Sequence, residues 1–570
     1  MKYRTALFAA ATASMTVPAI VSSAIASSAT GNPGDAMGGH GTLTIGVSQF
    51  PDNFHPNIES MAAKFYIADM GQRMFTGYSP DWILQCFLCT EVPTLENGLA
   101  ELETTPEGDA GIAVTFDIHP EATWGDGTAV TTEDVMFTWE AGRNPVSAFR
   151  NSEFYRTVYD ITVHDEKTFT LHMNRVTFDY NRIPDFRLLP AHIESAVFDD
   201  NPREYKQRTS YDADTTNPGL YFGPYRITEV ETGSFVVLEP NETWYGDGPH
   251  FDRIVIRTIE NTSALEANLL SGEVDMISGE LGLTIDQALA FRDRHGDDYD
   301  VDFVPGLVYE HIDLNLNNPV LADIRVRRAL LYGADRDALT EQLFQGEQPV
   351  AHTNISPLDA VSTDDVTRYN YDPERAVALL EEAGFDSLEN GVRVNGDGDR
   401  LSFAFQTTSG NRTRELVQQV LQSQWSEIGI EVTIDNEPAR VFFGQTTAER
   451  RFEGLAMYAW ISAPENPPRE QLHSGHIPTE ENNWAGQNFP GYVNPVMDEA
   501  LEALEEELDA ERRLAHWVTV QQLYADDLPI LPLYFRANPF ILPNWLDGLE
   551  PTGHLHQSTN HVENWRRNDL

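Results

Sequence analysis

Residues 217–277 restrict the possible folds of this chain more than any other segment does. The segment starts with the turn-forming residues Asn217, Pro218 and Gly219, and stretches of alternating apolar and polar residues follow. Such alternation is typical of strands that bury one face. A helical spacing of apolar residues then leads to the short stretch VDMI at 274–277. The segment therefore predicts the order strand, strand, strand, helix, strand, as in an α/β protein.

The length and the charge of the chain limit its domain count and its partners. With 570 residues the chain is too long for one hydrophobic core, so we expect two or three domains. It has 38 basic and 89 acidic residues, a formal net charge of -51, and lysine stands only at positions 2, 64, 167 and 206. Because this charge repels phosphate, we expect no nucleic acid and no anionic membrane surface as a partner. We interpret the composition as adaptation to high salt, and a cation-attracting functional patch is the alternative.

Residues 1–26 have the pattern of a secretory signal peptide. Lys2 and Arg4 precede an apolar run that ends at Ile25, next to a small-residue cleavage pattern. Pro18 interrupts the run, and no cysteine follows it that could carry a lipid. We therefore expect a periplasmic protein without a lipid anchor. Residues 27–41, which are small, polar and rich in glycine, are predicted to be a flexible leader.

Several further stretches have motif-like sequences. They read TWGDGTAVTTEDV at 123–135, ADIRVRRALLYGADR at 322–336, YDPERAVALLEEAGF at 371–385 and LPILPLYF at 528–535. Together with GLYFGPYRITEV at 219–230, they resemble, in the same order, the extracellular solute-binding proteins that serve ABC importers of peptides, nickel chelates and opines. The resemblance extends over nearly the whole mature chain.

The resemblance implies an α/β, two-lobed periplasmic-binding-protein fold of the type II-like kind, with an extra subdomain in the first lobe. The expected segments are 42–84, 210–304 and 530–570 for the first lobe, 85–209 for the inserted subdomain and 305–529 for the second lobe. The chain would cross between the lobes near Pro305 and Pro532, and the ligand would lie in the cleft between them.

The resemblance also implies where the ligand is contacted. The candidate residues follow the first strand, flank the hinge or lie in the loops after residue 459: Phe50, Asn53, Phe54, Tyr309, His311, Trp460, Ile461, Ser462, Trp484, Gln487 and Asn488. Peptide binders of this family carry an aspartate after the tryptophan that pairs with the terminal ammonium of the peptide. Here Ala463 stands in that place, and Glu465 is the nearest possible substitute.

The remaining chemistry-bearing residues suggest structural roles. Cys86 and Cys89 are expected to form a local disulfide, with free thiols or a metal or redox site as alternatives. His473 and His476 have the spacing of metal ligands only if their proline-rich surroundings are helical. We therefore predict no metal and no cofactor. The histidines near the C-terminus, such as His554, are expected on the surface.

We predict a solute-binding component of an ABC importer and not an enzyme, because the nucleophile-elbow, zinc-protease, P-loop and dinucleotide-binding motifs do not occur in the sequence. The ligand is expected to be a peptide or a similar polar solute. An oligosaccharide or an opine-like solute is the alternative, because of Ala463 and the aromatic and amide residues after it. A secreted hydrolase and a surface sensor or adhesin are weaker alternatives. The expected partners are the permease subunits with their ATPase, and the protein is expected to be a monomer.

Overall fold

A computed structural model of the chain describes residues 41–58, 61–482, 484–554 and 556–569. The predicted signal peptide, and the predicted leader up to residue 40, lie outside the described residues. The strands of the described part are, in chain order, β1 (Thr42–Val47), β2 (Thr76–Tyr78), β3 (Leu84–Cys86), β4 (Ala100–Thr104), β5 (Ala110–Asp117), β6 (Val158–Val163), β7 (Thr168–Met173), β8 (Tyr225–Glu231), β9 (Phe235–Pro240), β10 (Arg253–Thr258), β11 (Met276–Ile277), β12 (Tyr299–Leu314), β13 (Ser387–Glu389), β14 (Val392–Val394), β15 (Ser402–Gln406), β16 (Glu431–Ile434), β17 (Leu455–Ile461), β18 (Ile530–Pro543), β19 (Leu546–Asp547) and β20 (Arg566–Arg567).

The helices begin where the sequence provides caps. Thr131 and Asp134 form a capping box at the start of the second helix, and Asp323 and Asp372 cap two later helices. The α-helices are α1 (Ala62–Gly71), α2 (Thr132–Arg143), α3 (Ser152–Thr157), α4 (Ala191–Asp200), α5 (Tyr205–Arg208), α6 (Ser210–Ala213), α7 (Thr262–Leu270), α8 (Ile285–His295), α9 (Ile324–Tyr332), α10 (Arg336–Phe344), α11 (Pro373–Glu382), α12 (Arg412–Glu427), α13 (Ala439–Val441), α14 (Arg469–Leu472), α15 (Pro495–Glu506) and α16 (Ala510–Asp527). Short 3-10 turns cover Pro218–Leu220, Ser474–His476 and Ser558–Asn564, and a π-helical turn covers Phe442–Thr447.

The segment 217–277 folds as its sequence predicts. β8 and β9 form an antiparallel hairpin, and β10 pairs with β9. After β10 the chain crosses through α7 to β11, and β1 lies between β10 and β11 with parallel pairing on both sides. The predicted strand, strand, strand, helix, strand order is therefore confirmed, and the segment supplies four of the ten strands of a large mixed sheet.

The main sheet has ten strands in the order β16-β15-β17-β12-β18-β11-β1-β10-β9-β8. The long strands β12 and β18 pair antiparallel at its centre, and their register shifts between Pro305 and Tyr309. A separate sheet, in the order β4-β5-β7-β6, lies within residues 100–173. This mixed α/β architecture confirms the predicted fold class, whereas the predicted lobe and subdomain boundaries stay a prediction.

Two large hydrophobic clusters lie on either side of the central strand pair. The first core contains Leu43 of β1, and the second core contains Leu455 of β17. β18 contributes to both, with Phe540 in the first core and Leu531 in the second. The β12–β18 pair therefore joins the two cores, and its register shift near Pro305 coincides with one of the two chain crossings predicted from the sequence.

Two predictions about single residues have different outcomes. The structure joins Cys86 and Cys89 by a disulfide, the first of the alternatives considered. The prediction of surface histidines near the C-terminus is wrong for His556, which is buried, and His554 is only partly exposed. The Nδ1 atom of His556 accepts a hydrogen bond from the Tyr78 backbone N–H at 3.1 Å, and the His554 ring contacts the Ser79 carbonyl at 3.1 Å. These bonds attach the C-terminal segment to the chain around β2.

Candidate ligand-binding site

The end of β17 presents an aromatic face beside the junction of the two cores. Trp460 lies directly opposite Tyr309 of β12, so the two side chains point to the same side of the sheet. The Trp460 ring stacks on Phe489, with ring centroids 6.1 Å apart and an angle of 23°. These contacts hold Trp460 in a defined orientation at the point where β17 ends.

A partly open cavity of about 50 Å³ lies at this point. Its lining includes four of the residues predicted from the sequence, namely Tyr309, Trp460, Ile461 and Ser462. This volume is below the usual range for small-molecule sites, so the cavity can hold only part of a ligand. Among the described residues that line it there is no Asp, Glu, Lys, Arg or His. The cavity can therefore offer aromatic, aliphatic, hydroxyl and amide groups to a ligand, but no charge.

Three amide side chains of the lining were missed by the sequence analysis. Asn354, Asn466 and Gln471 all contact the cavity. The Oδ1 atom of Asn354 is buried and has no hydrogen-bond partner in the described part of the chain, which makes it available to a ligand donor. These residues follow no periodic pattern and belong to no recognised motif, so only the three-dimensional fold could bring them together.

Tyr309 and the neighbouring His311 have different roles. The Tyr309 and Tyr524 hydroxyl oxygens are 2.5 Å apart, and both residues line the cavity. Burial raises the pKa of Tyr309 well above its ordinary value, so its hydroxyl stays protonated.

His311 is fully buried and does not line the cavity, and its predicted ligand contact stays a prediction. Its ring lies parallel to that of Tyr309 at 5.0 Å, and its Nε2 atom is 3.4 Å from Asp313 Oδ1. His311 therefore supports the aromatic face from within the sheet.

The loop after β17 contributes only part of the predicted contacts. Gln487 touches the lining through a hydrogen bond from Gln471 Nε2 at 3.2 Å, whereas Trp484 lies outside the lining. Asn488 is fully buried and its amide is used within its own loop, and its predicted ligand contact stays a prediction. It donates to the Tyr492 carbonyl at 2.9 Å and accepts from the Tyr492 N–H at 2.9 Å.

The residues after β1 lie away from the lining of this cavity. Phe50 and Phe54 pack edge to face, with ring centroids 6.2 Å apart, and both rest against the first core. The Phe54 N–H donates to Asp212 Oδ1 at 3.0 Å. Asn53 lies in the same loop and is partly exposed. Their predicted ligand contacts stay a prediction.

Glu465 does not offer a carboxylate to the cavity. It forms an ion pair with Arg182, and its N–H donates to Asp359 Oδ2 at 2.9 Å. Asp359 is itself buried, and burial raises its pKa. The possibility that Glu465 replaces the ammonium-binding aspartate at the position of Ala463 is therefore not supported by its contacts.

The two histidines with metal-like spacing are engaged by carboxylates. His473 Nε2 lies 3.2 Å from Glu502 Oε1, and His476 Nδ1 lies 3.1 Å from Glu470 Oε2. Within the described ranges, no group of three or more His, Cys, Asp and Glu side chains is placed to hold a metal ion. No helix in those ranges is both long enough and apolar enough to cross a membrane.

Two cores that are joined by a pair of long strands can move relative to each other and enclose a solute. This is the architecture of a two-lobed solute-binding protein. The family described as bacterial extracellular solute-binding proteins, family 5, matches residues 94–475 of the chain. The match covers more than half of the sequence, and the chain belongs to this family.

Individual relatives agree with this assignment. The oligopeptide-binding protein AppA of Bacillus subtilis is 24% identical over 506 residues, which are 85% of this chain and 86% of that protein. The crystal structure of an oligopeptide-binding protein from Thermus thermophilus, complexed with a pentapeptide, has 29% identity and a TM-score of 0.71, covering 93% of this chain and 96% of that chain. NikZ from Campylobacter jejuni, in complex with Ni(L-His), shares the fold with 20% identity and a TM-score of 0.70, covering 92% of this chain and 99% of that chain.

Proposed function

We propose that this protein is the periplasmic solute-binding component of an ABC importer and that it captures a peptide, one part of which lies in the cavity at the end of β17. The observation that carries the proposal is the uncharged cavity beside Trp460, next to the strand pair that joins the two cores. The names of the relatives support a peptide as the solute. In this role the protein acts as a monomer and delivers its solute to the permease subunits and their ATPase.

The edge of β17 supports an extended ligand. β15 pairs with β17 only at Leu455 and Ala456, and the Met457 carbonyl accepts a hydrogen bond from the Thr407 hydroxyl at 2.7 Å. In the described part of the chain, the edge from Tyr458 to Ile461 has no strand neighbour opposite β12. An extended peptide can add to such an edge through main-chain hydrogen bonds. Side-chain pockets next to the edge would then select among sequences.

The uncharged lining restricts the kind of peptide. A charge-assisted hydrogen bond between a carboxylate and a terminal ammonium contributes about 1.5 to 3 kcal/mol. Ala463 has no such group, and Glu465 is engaged by Arg182. We propose that the part of the ligand in this cavity is uncharged. Peptides with an acetylated N-terminus should therefore bind within about threefold of the same peptides with a free terminus, since roughly 1.4 kcal/mol corresponds to a factor of ten.

An oligosaccharide is a second candidate, favoured by one feature of the same cavity. Aromatic faces stack on sugar rings, and amides bond to hydroxyl groups. Trp460 provides such a face beside the amides of Asn354, Asn466 and Gln471.

Ligand identification distinguishes these candidates. The protein is purified in high salt, unfolded, and the released small molecules are identified by mass spectrometry. Titration calorimetry then measures binding of acetylated and free peptides and of oligosaccharides of matched length. Peptide binding supports the proposal, and binding of sugars alone supports the second candidate. Binding of neither by the folded protein contradicts both.

We also propose that the protein binds its solute without turning it over. The family is one of solute-binding proteins, and this supports binding without chemistry. Chromogenic ester, glycoside and peptide substrates should give no saturable release of product. A saturable rate that follows the protein through purification would contradict this part of the proposal.

A further inference from the structure

Arg182 connects the first core to the loop that follows β17. It lies in the segment 176–183, which places Tyr180 and Ile183 in the first core. Its guanidinium forms an ion pair with Glu465. It also donates to the Pro464 carbonyl at 3.5 Å and to the Glu465 carbonyl at 3.3 Å. One side chain from the first core therefore contacts both the backbone and the carboxylate of this loop.

Two aromatic rings hold Arg182 in place, and a second arginine packs on one of them. Its guanidinium lies 4.8 Å from the centroid of the Phe178 ring and 5.5 Å from that of Tyr78. Arg513 lies 4.5 Å from the centroid of the Phe178 ring and also interacts electrostatically with Glu465. The Tyr78 hydroxyl donates to the Pro464 carbonyl at 3.2 Å. The contact is thus a cluster built from both sides, and it is not a single exposed ion pair.

The loop held by Arg182 carries part of the candidate site. Ser462 and Asn466, on either side of Glu465, line the cavity, and the Asn466 amide donates to Ser462 Oγ at 3.3 Å. Glu465 adopts a left-handed backbone conformation with a φ of 52°, which its N–H bond to Asp359 helps to fix. A change in the position of Glu465 therefore changes the positions of two groups that face the ligand.

We propose that Arg182 is a positioning residue for ligand binding: its ion pair with Glu465 fastens the 462–466 loop to the first core when the two cores close, and so couples closure to the geometry of the cavity. This inference rests on the proposed function for its ligand-binding consequence. Its structural consequence, a more compact protein, is independent of the ligand. The ion pair can stabilise the closed arrangement of the two cores because the side chains of Arg182 and Glu465 are only 16% and 28% exposed. Salt therefore screens their attraction less than that of an exposed pair.

Arg182→Gln and Glu465→Gln test the inference, first without added ligand. Both variants should show a larger radius of gyration than the wild type in small-angle X-ray scattering. The double variant should be no more expanded than Arg182→Gln alone, because the two side chains act through one contact. Arg182→Lys, which keeps the charge, should lie closer to the wild type. Arg325→Gln is the control, because it removes an arginine–carboxylate pair, Arg325 with Asp323, that lies at the start of α9.

Binding kinetics provide the second readout, with the peptide identified for the wild type. Arg182→Gln should bind roughly tenfold more weakly, mainly through faster dissociation, since losing a contact made in the closed complex acts on the dissociation rate. Unchanged compactness together with an unchanged dissociation rate would overturn the inference, as would independent, additive effects of the two substitutions. If the wild type binds no peptide, the proposed function fails, while the scattering comparison still decides the role of Arg182. Melting temperatures of all variants separate these effects from loss of the fold.

Discussion

Trp460 is the residue on which ligand affinity should depend most. It lines the cavity and is held by Phe489, so its ring is ordered before a ligand binds. Trp460→Ala should weaken ligand binding by roughly tenfold or more, because a buried aromatic anchor contributes about 1 to 3 kcal/mol. The matched control is Trp244→Ala, whose ring packs on Arg73 outside the cavity. Calorimetry should show lost affinity only for Trp460→Ala, and equal affinity of the two variants would remove Trp460 from the site.

His554 should make stability depend on pH below neutrality. Burial lowers its pKa from 6.5 to about 4, and the nearby His561 acts in the same direction. Its Nδ1 atom accepts a hydrogen bond from the His556 N–H at 3.1 Å, a bond that protonation would break. In the unfolded chain the imidazole takes up a proton near pH 6.5, whereas in the folded protein it does so only near pH 4. Stability that is present above pH 6.5 is therefore lost as the pH falls to about 4.

Protonation of His554 alone should lower the free energy of unfolding by about 3 kcal/mol. Its pKa falls from 6.5 to about 4, and one pKa unit corresponds to about 1.4 kcal/mol. Denaturant titrations at a series of pH values measure it. In His554→Gln, the free energy of unfolding should fall less between pH 6.5 and 4 than in the wild type. The control variant His516→Gln, on α16, should show the same fall as the wild type. A decline that is the same in both variants would show that other groups cause it.

Among the structural elements, β12 makes a close backbone contact with the C-terminal segment, near its register shift against β18. A Cβ atom on Gly306 would lie 2.1 Å from the Gly553 carbonyl oxygen, and the Leu307 N–H donates to the same oxygen at 2.8 Å. Gly306→Ala should therefore separate the C-terminal segment from β12 and destabilise the protein by about 1 to 3 kcal/mol. Gly396→Ala is the control, because its Cβ would meet no atom within 4 Å. Equal unfolding midpoints for the two variants would show that this contact relaxes freely.

Elements with local signals could be predicted from the sequence, and the complete site could not. Local sequence patterns are sufficient to predict the strands and the helix of the segment 217–277 and the helix caps at Thr131 and Asp323, because each of these features depends on residues that are neighbours in the chain. Asn354 and Trp460 are more than one hundred positions apart, and only the folded chain brings them to one cavity. The predictions for His311 and Asn488 rest on position in the chain, which does not reveal which way a side chain points in a sheet or a loop.

For the whole molecule, the net charge of -51 should make folding depend on salt. Like charges repel one another most strongly in the compact state, and screening weakens this repulsion. The screening length falls from about 10 Å at 0.1 M salt to about 3 Å at 1 M. The melting temperature should therefore rise between 0.1 M and 1 M sodium chloride.

The melting temperature should rise less steeply above about 1 M sodium chloride, since screening is then nearly complete at the distances between surface charges. Sucrose provides the control, because it favours compact states by exclusion from the protein surface without screening charge. If charge repulsion dominates, the melting temperature measured at a fixed sucrose concentration should rise with chloride by as much as it does without sucrose. A melting temperature that does not change with chloride would mean that charge repulsion does not limit the stability of the fold, and that the composition does not mark adaptation to high salt.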